Sequence, residues 1–232
     1  MITRRAAADR GVTDLGWLKS HHTFSFGNYG DPSQMGFRSL RVINDDRVRG
    51  GAGFGRHPHR DMEIFSYVLS GHLSHEDSLG TGSTVGAGEV QKMSAGTGIL
   101  HSEFNPVKTE ALHFLQVWII PAKRGLPPSY EQKAYADADK RGRLKLIGSN
   151  DGRDGSIRFE QDVAIYASIL GPGQTVEHRA APGRGLWLHV VRGSVTLNEE
   201  RLDEGDGAAI ENEGAITMRG ESETEFLLFD LA

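Results

Sequence analysis

The chain has 232 residues, 38% hydrophobic and 25% charged, the proportions of a globular protein with one large domain or two of common size. Its formal net charge of −5 advertises no nucleic-acid surface, so no direct nucleic-acid contact is expected. The absence of cysteine excludes disulfides, thiolate metal sites, iron–sulfur clusters and a thiol nucleophile, leaving histidine and carboxylate as the strong metal ligands.

The N-terminus, Met-Ile-Thr-Arg-Arg-Ala-Ala-Ala-Asp-Arg, lacks the shape of a signal peptide. No run approaches the roughly 18–20 apolar residues of a membrane span. The expectation is a cytoplasmic protein without membrane contact.

The 30 glycines recur between short apolar runs, as in a chain of many short strands joined by tight turns. Residues 17–30 alternate aromatic and polar side chains around Phe24 and Phe26 and read as a strand. A turn near Thr13–Ser20 is a weak helical candidate. The next strand covers 38–44 and is followed by a polar turn at Asp45-Asp46. Strands are expected at 63–69, 72–77, 88–93 and 111–120. The last is apolar nearly throughout, which marks a strand buried on both faces, and Pro121 ends it. The polar segment 122–143, with Pro127-Pro128, reads as a connection carrying a short helix near 133–141.

After about residue 144 the pattern restarts. Val191-Arg-Gly193-Ser-Val-Thr resembles Val68-Leu-Ser-Gly71-His-Leu-Ser, and Gly205-Asp206 corresponds to Gly88-Glu89. The offsets, 122 and 117 residues, point to an internal duplication of a β-barrel domain. The fold expected is all-β: a metal-binding barrel over 1–121, a connection over 122–143 and a second barrel over 144–232.

The chemistry concentrates in two stretches, Gly51–Glu63 and Gly98–Asn105. His57 and His59 lie two apart, and His101 and Glu103 repeat the spacing. On a strand, residues i and i+2 share a face, so each pair presents two ligands to one interior. Three imidazoles and one carboxylate suit one divalent transition metal ion (Fe, Ni, Mn, Zn or Cu), with one or two positions open to water or substrate. Glu63, four residues past His59, is a rival carboxylate. Asn105 either orients a ligand or forms a turn. His113 reads as a satisfied core histidine, and Gln116 as a cavity-lining amide together with Phe114 and Trp118. His21 and His22 are weak candidates for a cavity rim. His72 and His75, on opposite faces near a hairpin, read as solvated. In the second half His178 and His189 stand alone. No Gly-x-Ser-x-Gly, no dinucleotide loop and no His-Glu-x-x-His occurs.

These residues resemble the cupin superfamily. Gly51, His57, His59 and Glu63 fit its first motif, although seven residues rather than six precede Gly71. Gly98, His101 and Asn105 fit its second, with Gly96 where that motif has proline. Within the cupins the chain is similar to the bacterial pirin-like proteins, through His22-Thr-Phe-Ser-Phe, Arg41-Val-Ile-Asn-Asp, Phe54-Gly-x-His-Pro-His59-x-Asp-Met-Glu63, Met93 to Glu103 and Leu-Leu-Phe-Asp-Leu231.

The resemblance implies a bicupin of two jelly-roll barrels packed together, with metal only in the first. The implied ligands are His57, His59, His101 and Glu103, not Glu63. It also implies a quercetin 2,3-dioxygenase activity. The reaction expected on that basis cleaves a flavonol ring with O2 and releases a depside and carbon monoxide, with Glu103 accepting the 3-hydroxyl proton as catalytic base. The alternative is a non-enzymatic metal- or redox-sensing partner of a transcription or metabolic protein, acting through protein surfaces.

Overall fold

A computed structural model describes all 232 residues as 22 strands, one four-residue α-helix at Asp137–Lys140 and two short 3-10 turns. The strands fall into two units. One is Gly11–Ala134; the other joins Met1–Arg10 to Tyr135–Ala232. No helix is long and apolar enough to cross a membrane.

In the Gly11–Ala134 unit a seven-stranded sheet runs in the order Ser129–Ala134, Glu89–Ser94, Glu63–Ser70, Leu112–Ile119, Leu40–Val48, Leu18–His22, Gly11–Asp14. A four-stranded sheet runs Gly53–His59, Ile99–Phe104, His72–Asp77, Gly82–Gly86. One core joins them: Leu18, Val48, Val68, Leu112 and Phe114 from the first sheet meet Leu73 and Val85 from the second. The apolar strand Leu112–Ile119 lies between two partners inside its sheet, as its composition requires.

The other unit repeats the plan. Its seven strands are ordered Ile2–Arg5, Gly207–Glu211, Gly185–Arg192, Thr224–Leu231, Val163–Leu170, Lys145–Ser149, Ile157–Arg158. Its four are Thr175–His178, Ile216–Gly220, Ser194–Leu197, Glu200–Asp203. Each unit is therefore a two-sheet barrel of the jelly-roll kind. The paired glycines take equivalent places: Gly71 and Gly193 turn the chain from the large sheet to the small one, both with positive φ (77° and 74°).

Several expectations change. The division at 121 gives way at both ends. Ser129–Ala134, inside the supposed connection, pairs with Glu89–Ser94, and Ile2–Arg5 pairs with Gly207–Glu211. Both are edge strands held through backbone bonds, which leave little side-chain pattern to read. The strand expected over 17–30 is confined to Leu18–His22. The helix near 133–141 shrinks to one turn, and Thr13–Ser20 forms the turn and inner ends of an antiparallel hairpin between Gly11–Asp14 and Leu18–His22. Asp45 and Asp46 form no turn; both are buried within Leu40–Val48.

The duplicated glycines give a direct test. A Cβ at Gly71 would lie 2.7 Å from Ala111 O, whereas one at Gly80 (φ +86°) would meet nothing within 4 Å. Gly71→Ala adds that clash to the roughly 1–2 kcal/mol cost of a left-handed residue. It should lower the urea midpoint of unfolding clearly more than Gly80→Ala does.

Candidate metal centre

His57 and His59 alternate with Pro58 along one strand and so face the same way. That strand pairs antiparallel with Ile99–Phe104, placing His101 directly opposite His57. A bulge between His101 and Glu103 shifts the register and sets Glu103 opposite Phe54. The three imidazole centroids are 4.7 Å (His57–His59), 4.5 Å (His57–His101) and 4.9 Å (His59–His101) apart. One ligand atom from each of the three lies within 4.8 Å of the others.

Hydrogen bonds assign the ring protons. His57 Nδ1 donates to Gly55 O at 2.7 Å, leaving Nε2 unprotonated in the neutral ring. His75 Nε2 donates to Asp77 Oδ2 at 2.9 Å, and both side chains are covered. His75 Nδ1 is then an acceptor, lying 3.4 Å from His101 Nδ1. This leaves the His101 Nε2 lone pair beside His57 Nε2, 3.0 Å away. Burial, and then the neighbouring His57, lowers His59 to about 4. Burial and three surrounding imidazoles push His101 well below the usual range, outweighing Asp77. Imidazole lone pairs that converge in this way are what a metal ion requires.

Glu103 is buried, 2% exposed. Gln91 Nε2 donates to its Oε1 at 2.6 Å and Gln116 Nε2 to its Oε2 at 2.8 Å. The Ser66 hydroxyl lies 3.5 Å from Oε1. All these partners are neutral. Burial therefore pushes the carboxyl up to about 7 in spite of them. A buried carboxylate without a cation, next to three converging imidazoles, fits a resident metal ion.

The supporting amides form part of a row. Gln91, Ser66, Gln116, Asn44 and His22 are successive cross-strand neighbours over five strands of the large sheet. His22 Nδ1 bonds Asn44 Oδ1 at 2.7 Å and its Nε2 bonds Thr13 Oγ1 at 2.8 Å. In front of the row lies a cavity of about 230 Å³. His57, His59, Glu103 and Gln116 line it, as do Phe26, Phe54 and Trp118.

The other candidates have separate roles. Glu63 is buried against Lys92 Nζ (3.1 Å) and Ser94 Oγ (3.0 Å) and is in neither metal-competent cluster. Asn105 is a turn residue: Oδ1 accepts from Val107 N and Nδ2 donates to Glu110 O. His113 is satisfied by Asp45 at 2.7 Å. His22 lines the cavity, His21 does not, and Phe114 belongs to the core beneath it. His72 is exposed as expected, but His75 is 1% exposed and forms a second trio with His101 and Glu103. The hairpin reading missed His75 because the small sheet folds it inward, over Tyr130. In the other unit His178 is bound to Asp230, which also holds Arg184. His178 ends the strand equivalent to the His57–His59 strand, and Asp230 reaches it from the large sheet.

The comparisons agree with this geometry. The family model described as Pirin matches residues 4–119, and the one described as Quercetinase C-terminal cupin domain matches 146–231. The chain is 50% identical over 231 residues to "Quercetin 2,3-dioxygenase" of Escherichia coli K12, spanning 100% of this chain and 99% of that one. The chain belongs to the pirin family. A solved pirin, YhhW of Escherichia coli in complex with nickel(II), superposes with a TM-score of 0.96 at 49% identity. That match covers 100% of this chain and 99% of that one. "Pirin-like protein" of Caulobacter vibrioides is 37% identical over 233 residues, the whole of both chains. The bicupin architecture of the family is thus present in full.

The Asp77–His75–His101 chain makes a prediction of its own. Outer partners that orient a metal-binding histidine are typically worth 10–100-fold in metal affinity. Asp77→Asn, which keeps an acceptor but loses the charge, should weaken nickel(II) binding within that range by calorimetric titration. An unchanged affinity would show that His101 needs no such support.

Proposed function

We propose that this chain is a metal-dependent dioxygenase that opens the ring of a flavonol such as quercetin with O2, releasing a depside and carbon monoxide. The observation that carries the reading is the cluster of His57, His59 and His101 beside a cavity walled by aromatic rings, with the buried, uncompensated carboxylate of Glu103 in a second cluster that shares His101. The names of the Escherichia coli relatives, one a quercetin 2,3-dioxygenase and one holding nickel(II), support it.

His57, His59, His101 and Glu103 would hold one divalent transition metal ion. When bound, that ion supplies Lewis acidity toward an enolic oxygen and an open position for a second reactant. The remaining work belongs to the chain. Phe26, Phe54 and Trp118 offer aromatic faces and edges to a planar substrate and narrow the cavity. Glu103 takes the proton of the substrate's 3-hydroxyl onto a carboxylate oxygen, a general-base role. Gln91 and Gln116 fix the direction of that carboxylate, so little reorganisation accompanies the transfer.

Two measurements test the reading. Chelation should abolish flavonol turnover, and nickel(II) or another divalent transition ion should restore it. His57→Ala, His59→Ala and His101→Ala should each cut metal occupancy sharply, and Glu63→Gln should leave it largely intact. Turnover that survives metal removal would contradict the proposal.

Glu103 has two tasks, and substitution separates them. Glutamine retains an oxygen for the ion but cannot take up a proton at neutral pH. At matched metal content Glu103→Gln should lose at least about 10²-fold in rate, the lower end for general-base assistance. Equal rates would exclude Glu103 as the base.

A further inference from the structure

A second carboxylate faces the same cavity. Asp46 lies in the middle of Leu40–Val48, 3% exposed, between Phe114 and Ser20 on the neighbouring strands. Its neighbour Asp45 has the opposite parity and is satisfied by His113 and Arg47. Asp46 has no such cation. Ser20 hydrogen-bonds its carboxyl, but its Oδ1 is buried without any partner. Burial, with the charges of Asp45 and Glu103, pushes the group up to about 7.

A buried, unpaired acceptor weakens a fold, and ordinary cores avoid one. Three other polar residues of this wall are already occupied: His22 bridges Thr13 and Asn44. Trp118 also lines the cavity, and its Nε1 is a buried donor without a partner. The wall thus lacks one donor opposite Asp46 and one acceptor opposite Trp118. A hydroxylated aromatic carbonyl compound carries both.

We propose that Asp46 is a second anchor for the substrate, its free Oδ1 accepting a hydrogen bond from a ring hydroxyl other than the 3-hydroxyl. This rests on the flavonol reading and narrows it. The preferred substrate bears phenolic hydroxyls beyond the 3-hydroxyl, 4-carbonyl pair.

The test is equilibrium binding to nickel-loaded protein without O2, by fluorescence titration. The probes are quercetin and 3-hydroxyflavone, which has only the 3-hydroxyl. Metal content is measured in every sample. The parent should bind quercetin at least about tenfold more tightly, as expected for a hydrogen bond to a charged group. Asp46→Ala should erase most of that margin while changing 3-hydroxyflavone affinity and nickel content by less than about twofold. Asp46→Asn has the same shape and one remaining oxygen. It should retain part of the margin, losing about threefold, and it carries the test if the alanine variant does not fold.

No margin in the parent would overturn the anchor. So would equal losses for both ligands, which mean a structural role, or an unchanged margin in both variants. If neither flavonol binds the loaded parent, the flavonol reading itself fails and the anchor with it.

Discussion

His57 stands opposite His101 because the Gly53–His59 and Ile99–Phe104 strands pair antiparallel in one register, and the site depends on that pairing. A slip of the Gly53–His59 strand by one residue would turn His57 and His59 to the face opposite His101 and break the set apart. Two features pin the register. At Gly53 a Cβ would lie 2.3 Å from Glu103 O, so the backbones approach more closely there than a side chain permits. The bulge between His101 and Glu103 then delivers the carboxylate to Gln91 and Gln116, which extend from the large sheet. The centre is thus assembled between two sheets, each supplying what the other lacks.

Placing that polar group in a barrel interior works against stability, and the fold compensates locally. Glu103 receives two amide donors, His101 is backed by His75 and Asp77, and His57 is tied to its own strand through Gly55. The other unit shows the same frame without the centre. Its sheets have the same seven and four strands and differ at the edges of the large sheet, but the equivalent region holds Asp230 between His178 and Arg184. Those groups satisfy one another and leave no converging set of lone pairs. Duplication preserved the container, and the metal-competent cluster lies in one copy.

Much of this was legible in the sequence for simple reasons. The period of two carries His57/His59 and His101/Glu103 to a common face, and the glycine pairs mark equivalent turns. What escaped also has physical causes. Asp45-Asp46 looks like a polar turn because local composition cannot show that a neighbouring strand supplies Ser20, or that His113 answers Asp45. The signal was the parity: Asn44 and Asp46 alternate with Ile43 and Asp45 in a stretch flanked by Leu40, Val42 and Val48. His75 looked solvated because its partners, Asp77 and His101, include one 26 residues away. The edge strands Ile2–Arg5 and Ser129–Ala134 escaped because edge pairing leaves side chains half-exposed and weakly patterned.

The central claim is that one divalent ion sits among His57, His59, His101 and Glu103. Anomalous diffraction from crystals of the nickel-loaded protein tests it most directly. The account predicts a single strong peak within bonding distance of three imidazole nitrogens and one Glu103 oxygen, about 2.0–2.2 Å for nitrogen and oxygen ligands of this kind. A peak ligated by His75 in place of His57 and His59, a peak in the unit containing His178, or no peak at full loading would contradict it.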